Sequence, residues 1–289
     1  MASGMGTNVM TIHGFDLSHH QDPARWDKSA LRDLNAELQE TRGHRLFWCV
    51  RASYGAKTAD RQFARHVELG REIGATVGVY HFYRQVHSVE DQLTLFNKQL
   101  ELVGGIQPGD AFPCLDMEDN RVNGDGRPNK KIWNDACDKI GDAWKSLYGG
   151  CILYYSAYFP DQLDAHKGDV DWKWMQEPGY KHWLADYSVP DGAPRHPYTP
   201  AWHAHQPKPR TTPYYKGAVV DVDIIKGELA SELVIPGSLP DSPIDPAAPE
   251  PWLEHERIHN GLELLRDGIT RCDEAAKLIE ASLGDGKGI

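Results

Sequence analysis

Eight short apolar runs, spaced along most of the chain, constrain its fold more than any other feature. They are Thr11 to Asp16, Leu46 to Val50, Thr76 to Phe82, Ala111 to Glu118, Cys151 to Tyr155, His182 to Ala185, Ala201 to His205 and Val219 to Ile224. Each is of strand length and nearly continuous in apolar character, with polar residues gathered toward one end. Such runs suit parallel strands covered on both faces, where alternation is lost because both sides are buried.

What lies between the runs differs along the chain. Ser88 and Asp91 form a capping-box-like start, and Val89, Leu93, Phe96, Leu100 and Val103 follow at helical period. After Asn129, the residues Ile132, Trp133, Ala136, Ile140, Ala143, Trp144 and Leu147 repeat the pattern until Gly149-Gly150 stops it. Thr58 to Gly74 is a third helical candidate, with Phe63, Val67 and Ile73 on one face. Pro190 to Pro200 and Pro207 to Gly217 are short and proline-rich and cannot hold a crossover helix. The expected fold is therefore α/β, an irregular β/α barrel with helices mainly in its first half, plus a C-terminal helix. A parallel crossover needs about a dozen residues, so one late strand is free to run antiparallel.

The barrel is expected over residues 1–235. Residues 236–251 carry six prolines with Ser, Gly and Asp and read as a stiff linker. In residues 252–289, Ile258, Leu262, Leu265, Ile269, Cys272, Ala276, Ile279 and Leu283 alternate spacings of four and three. That is a heptad seam, which serves either homo-oligomerisation through residues 255–283 or one helix docked on the barrel.

The net charge of -11 argues against a nucleic-acid partner, since phosphate binding requires a basic face. It also gives no general pull toward an anionic cell wall, so recognition should be local, through stacking and hydrogen bonds. No apolar run approaches the roughly 20 residues of a membrane span. Met1 to Met10 lacks the basic start and apolar stretch of a secretory signal. The five cysteines, Cys49, Cys114, Cys137, Cys151 and Cys272, are odd in number and scattered, with no CxxC. The expectation is a protein made for a reducing cytoplasm.

Asp116 and Glu118 carry the candidate chemistry. Spaced i, i+2 on a strand, they share one face about 6–7 Å apart along the chain. They sit at the C-terminal end of their run, where β/α barrels gather their active sites. Glycoside cleavage needs one protonated carboxyl to donate to the leaving oxygen and a second to stabilise the transition state, act as base or steer substrate. Like charge and partial burial divide those roles between neighbours. Asp16 closes the first run and Asp221 lies in the last; in a barrel those strands are neighbours, so four acids converge on one mouth.

The run Gly14-Phe15-Asp16-Leu17-Ser18-His19-His20-Gln21 resembles the opening motif of glycoside hydrolase family 25 lysozymes. Arg51-Ala52-Ser53-Tyr54-Gly55 resembles the second-strand signature and Gly78 to Tyr83 the third. Leu115-Asp116-Met117-Glu118 is similar to the catalytic fourth. Ile152 to Ser156, Trp183 to Tyr187 and Val220 to Asp223 resemble the later strands, all in order over residues 11 to 226. The resemblance implies N-acetylmuramidase activity on bacterial peptidoglycan, with Glu118 as general acid, Asp116 as its partner, and Asp16 and Asp221 as supporting acids. Taken with the barrel, linker and helical segment, the missing signal and the free cysteines, the expectation is a phage endolysin, held in the host cytoplasm before release and then acting on the wall. No cofactor follows from the resemblance. Tyr80, Tyr155 and Tyr187 stand at strand ends and are candidate substrate-binding residues; Trp183 is expected in the core.

One departure is Trp202-His203-Ala204-His205-Gln206, at the glutamine-rich seventh-strand end of the family. His203 and His205 share a face, but no third ligand stands at zinc-site spacing, so no metal is expected. The competing reading is a sugar-binding barrel without catalysis, used in adhesion or virion assembly. A D-x-E pair is superfluous for binding alone.

Overall fold

The computed structural model describes residues 12–84, 86–118, 137–156, 178–189, 193–194 and 202–236. By proximity the chain divides into Met1–Leu239 and Pro240–Ile289, and all described residues belong to the first unit. Apart from Pro236, the linker and the heptad segment lie outside the described residues, as does the start of the helix expected after Asn129.

Ten strands follow in chain order: β1 (Gly14–Leu17), β2 (Phe47–Tyr54), β3 (Thr58–Ala59), β4 (Thr76–Phe82), β5 (Cys114–Asp116), β6 (Cys151–Ser156), β7 (Tyr180–Ala185), β8 (Ala204–Gln206), β9 (Arg210–Thr211) and β10 (Val219–Ile225). Eight of them close a barrel in the order β1, β2, β4, β5, β6, β7, β8, β10 and back to β1. Each of the eight apolar runs supplies one barrel strand. Neighbours from β1 to β8 are parallel. β10 is antiparallel to both β8 and β1, which makes it the reversed late strand.

Helix α1 (Lys28–Arg42) begins where Asp27 accepts from the Ala30 amide at 3.1 Å and ends at Gly43, whose φ of 71° suits a residue without Cβ. It buries Leu31, Leu34 and Leu38. The expected helix over Thr58 to Gly74 is shorter, α2 (Phe63–Glu72), because Thr58 and Ala59 instead pair with β2 as strand β3. Helix α3 (Val89–Glu101) starts at Ser88, whose hydroxyl accepts from the Asp91 amide at 3.2 Å. After one π turn, helix α4 (Asp142–Tyr148) ends at Gly149 in the left-handed region, φ 83°.

Strand alternation separates two cores. Phe15, Trp48, Val50, Val77, Leu115, Leu153 and Leu184 point outward against the helices. Phe47, Cys49, Tyr80, Cys114, Ile152, Tyr154 and Trp183 fill the barrel. Trp183 is an interior plug: its ring meets Tyr154 edge-on at 4.8 Å and Phe47 at 5.5 Å. Among the described residues no helix is long and apolar enough to cross a membrane.

Gly14 lies in a tight seam where β1 passes between β2 and β10. A Cβ there would lie 2.8 Å from both Phe47 Cβ and the Phe47 carbonyl oxygen, and 3.3 Å from Asp223 Cβ. Backbone cannot give way as a flexible side chain can. Gly14→Ala should therefore destabilise the fold by about 1–3 kcal/mol, read from the urea midpoint at constant m-value. A change under about 0.5 kcal/mol would show that the seam tolerates a side chain.

Candidate active site

The barrel brings the four expected acids to one mouth from three strands. Asp16 stands directly opposite Asp221 in the β1–β10 ladder. Asp116 ends β5, in register with Phe82 and Tyr154, and Glu118 follows two residues beyond. Asp116 is buried against the barrel interior, Asp16 and Asp221 are half-buried and Glu118 keeps exposed surface at the lip. Because β10 is reversed, Asp221 precedes Asp223 on the way down into the barrel, whereas Asp116 lies deeper than Glu118.

Loss of hydration is the largest influence on all four carboxyls, and it raises each pKa above the ordinary carboxylate range. Asp16 is pushed further up by Asp221 and Glu118, against a hydrogen bond from Tyr80 and the charge of Arg51. Asp116 is pushed up by Glu118 and Asp16 and drawn down by Arg51. Glu118 is raised by Asp221, with a hydrogen bond from Tyr154 acting in opposition. Asp221 is drawn down only by His20. Crowded acids titrate as a group, so the mouth retains protons at pH values where isolated carboxyls have lost them.

Arg51 is held by Asp60, whose Oδ2 accepts from Arg51 Nε at 3.0 Å and from the His19 amide at 2.8 Å. Asp60 Oδ1 accepts from the Gln62 amide at 2.9 Å. The turn after β3 thus fixes the guanidinium that moderates the acid cluster.

Tyr80 lies inside the barrel within hydrogen-bond reach of Asp16. Tyr187 is 52% exposed after β7, and the charges of Asp221, Glu118 and Asp16 raise its pKa along with burial. The expectation that Tyr155 lines the cleft is corrected by strand parity. Tyr155 points outward, packs in the helix-side core and bonds His182 Nδ1 through its hydroxyl at 3.2 Å. Its neighbour Tyr154 takes the inward place, in the same parity as Asp116 across β5–β6, and meets Glu118. Gln206 at the end of β8 is a further member: its Nε2 donates to Asp16 Oδ2 at 3.2 Å, and its Oε1 accepts from the Tyr154 hydroxyl.

His203 and His205 serve the backbone. His203 Nδ1 accepts from the His182 amide at 3.1 Å, and His205 Nε2 bonds the Asp186 carbonyl at 3.2 Å. Cys49, Cys114 and Cys151 are buried free thiols.

An irregular β/α barrel with carboxyls clustered at its mouth is an arrangement that glycoside hydrolases use. Residues 15–208 match the family described as Glycosyl hydrolases family 25, and the chain belongs to that family. The uncharacterized protein YegX of Escherichia coli strain K12 is 28% identical over 149 residues, covering 50% of this chain and 51% of that one. The chain spans about half the length of the curated relatives it matches. Among solved structures, a bacterial lysozyme from Streptomyces coelicolor superposes with a TM-score of 0.60 at 18% identity, over 78% of this chain and 96% of that one. The spore cortex lytic enzyme SleM of Clostridium perfringens gives 0.60 at 20% identity, over 78% and 70%. The catalytic domain of endolysin ply40 from bacteriophage P40 of Listeria monocytogenes gives 0.52 at 20%, over 78% and 98%. At these identities the likeness is one of fold.

Proposed function

We propose that this chain is a peptidoglycan hydrolase that cleaves the β-1,4 bond between N-acetylmuramic acid and N-acetylglucosamine. The observation that carries the reading is the meeting of Asp16, Asp116, Glu118 and Asp221 at one mouth, with all four carboxyls held above their ordinary pKa range. Glu118, at the exposed lip, is the proton donor to the glycosidic oxygen. Asp116, deeper and two residues before it, orients or stabilises the substrate acetamido group. A covalent sugar adduct on Asp116 would sink that assignment. Tyr187 at the rim offers a face for sugar stacking.

The role is that of a phage endolysin, stored in the host cytoplasm and acting on the wall after release. The three buried free thiols support manufacture in a reducing compartment. Fold likeness to a phage endolysin domain supports the same reading.

The test is digestion of purified peptidoglycan followed by borohydride reduction. The expected new terminus is muramitol. Glucosaminitol would indicate the other glycosidic bond, free amino groups would indicate an amidase, and no new terminus would leave a binding barrel. In the same assay the alkaline limb of kcat/KM should lie above the ordinary glutamate range, because Glu118 must keep its proton and burial raises its pKa. A limb at an ordinary glutamate pKa would overturn Glu118 as the acid.

A further inference from the structure

Tyr54 and Phe82 form an aromatic pair at the mouth that the acid chemistry does not use. Phe82 ends β4 and stands in register with Asp116 on β5. It shares the inward parity of Tyr80, while His81 between them turns outward and bonds Gln92 Oε1 on α3 at 3.0 Å. Tyr54 gains the same aspect through an irregularity in β2. Arg51 pairs with Tyr80, but the register then shifts, so that Ser53 pairs with His81 and Tyr54 with Phe82. A β-bulge of this kind re-aims the side chains that follow it. Under strict alternation Tyr54, three positions after Arg51, would face the helices. Instead its ring lies 4.6 Å from that of Phe82, with 31° between their planes. The pair is held in place from behind. The Gly55 amide donates to the Phe82 carbonyl at 2.9 Å, and Arg84 Nη1 donates to the Tyr54 hydroxyl with its guanidinium 5.0 Å from the ring centre. Rings that only fill the core are buried, as Phe63, Phe96 and Tyr83 are, whereas Tyr54 and Phe82 both keep exposed surface.

We propose that Tyr54 and Phe82 are a substrate-binding ledge that stacks an N-acetylhexosamine of the glycan strand, one position along from the bond that is cut. The proposal rests on the glycosidase reading, to which it adds the path of the chain. In the barrel, β4 and β2 lie on one side of β5, and β6 and β7 lie on the other. Neighbouring strands are about 4.8 Å apart, so the ledge runs from about 5 to about 10 Å from Asp116. It therefore meets a sugar next to the one at the acids. Tyr187, after β7, stands at the corresponding distance on the opposite side and is exposed. A polysaccharide that passes over Asp116 and Glu118 thus finds an aromatic surface in each direction. The face of a pyranose carries C–H groups, and an aromatic ring matches it without help from charge. This is the local recognition that a chain of net charge -11 needs for an anionic polymer.

The test is binding, without cleavage, of a soluble peptidoglycan tetrasaccharide of alternating N-acetylglucosamine and N-acetylmuramic acid to the full chain carrying Glu118→Gln. Phe82→Leu, added to that chain, keeps an apolar side chain and removes the ring face. It should raise the Kd by about 3- to 10-fold. Tyr54→Leu should do the same, and it keeps the test open if Phe82→Leu does not fold. Phe82→Tyr retains the face and should bind within about two-fold of the starting chain. An unchanged Kd in a folded Leu variant overturns the ledge and leaves the muramidase reading standing. So does an equal loss in Phe82→Tyr, which would mean that the fit of the rim matters and not the ring face. Absence of binding before either ring is changed overturns the ledge and the muramidase reading together.

Discussion

Replacing Glu118 by Gln lowers kcat on purified peptidoglycan by about 10²- to 10⁴-fold, the usual worth of a positioned general acid. The amide keeps the size of the side chain and its reach to Tyr154, but it has no proton to give to the leaving oxygen. The loss should fall on kcat rather than KM, because proton donation develops only in the transition state. Glu118 sits at the exposed lip and not in the packed interior, so the thermal midpoint should shift little. A substrate with an activated leaving group, such as a nitrophenyl glycoside, needs less protonation and should recover part of the rate. Activity within a few-fold of the wild type on peptidoglycan removes Glu118 from the acid role.

The second large effect concerns stability. Asp223 is fully buried inside the barrel, with Oδ1 accepting from Trp183 Nε1 at 3.1 Å and no partner for Oδ2. Burial, and then Asp16 and Asp221, hold its pKa well above the ordinary aspartate value, against the bond from Trp183. The folded chain therefore keeps a proton that the unfolded chain releases once the pH passes the ordinary aspartate pKa. In that window the folded state binds more protons, so its stability falls as pH rises, by about 1.4 kcal/mol per pH unit until the folded pKa is reached. Asp223→Asn cannot titrate. Its stability relative to wild type should therefore increase steadily from about pH 4 upward. The buried amide adds a constant penalty for its unpaired N–H, which displaces the difference curve without changing its slope. Denaturant titrations of both proteins at several pH values measure this directly. A flat or falling difference would mean that Asp223 is ionised in the barrel.

The barrel was legible because its strands are buried on both faces, which leaves eight dense apolar runs separated by breaks. Reversal of β10 was foreseeable from the short proline-rich connection before it. Helix α1 escaped the reading, although Asp27, the spacing of Leu31, Leu34 and Leu38, and Gly43 carry an ordinary cap, stripe and stop. The two-residue strand β3 is too short to show a period. Asp16, Asp116 and Glu118 stood out because they sit at run ends, and Asp221 because a closed barrel makes the last strand a neighbour of the first. Tyr154 and Tyr155 were exchanged for the same reason that the strands were easy to find. Where both faces are apolar, alternation no longer says which residue looks inward, and only pairing with Asp116 on β5 decides it. Gln206 was unreadable as a neighbour of the acids, since its bonds to Asp16 and Tyr154 depend on which strands the closed barrel brings together.

The β1–β10 seam also bears on how the molecule comes into being. Asp16 and Asp221 meet across a ladder whose strands are about two hundred residues apart in the chain. Bringing such distant segments together is entropically late in folding, and during synthesis it must wait until the last strand has left the ribosome. A nascent chain truncated before Val219 has an open sheet edge on β1 and only three of its four acids. The four-acid mouth is therefore completed in the same event that closes the barrel, and a chain that stops short of the last strand lacks it.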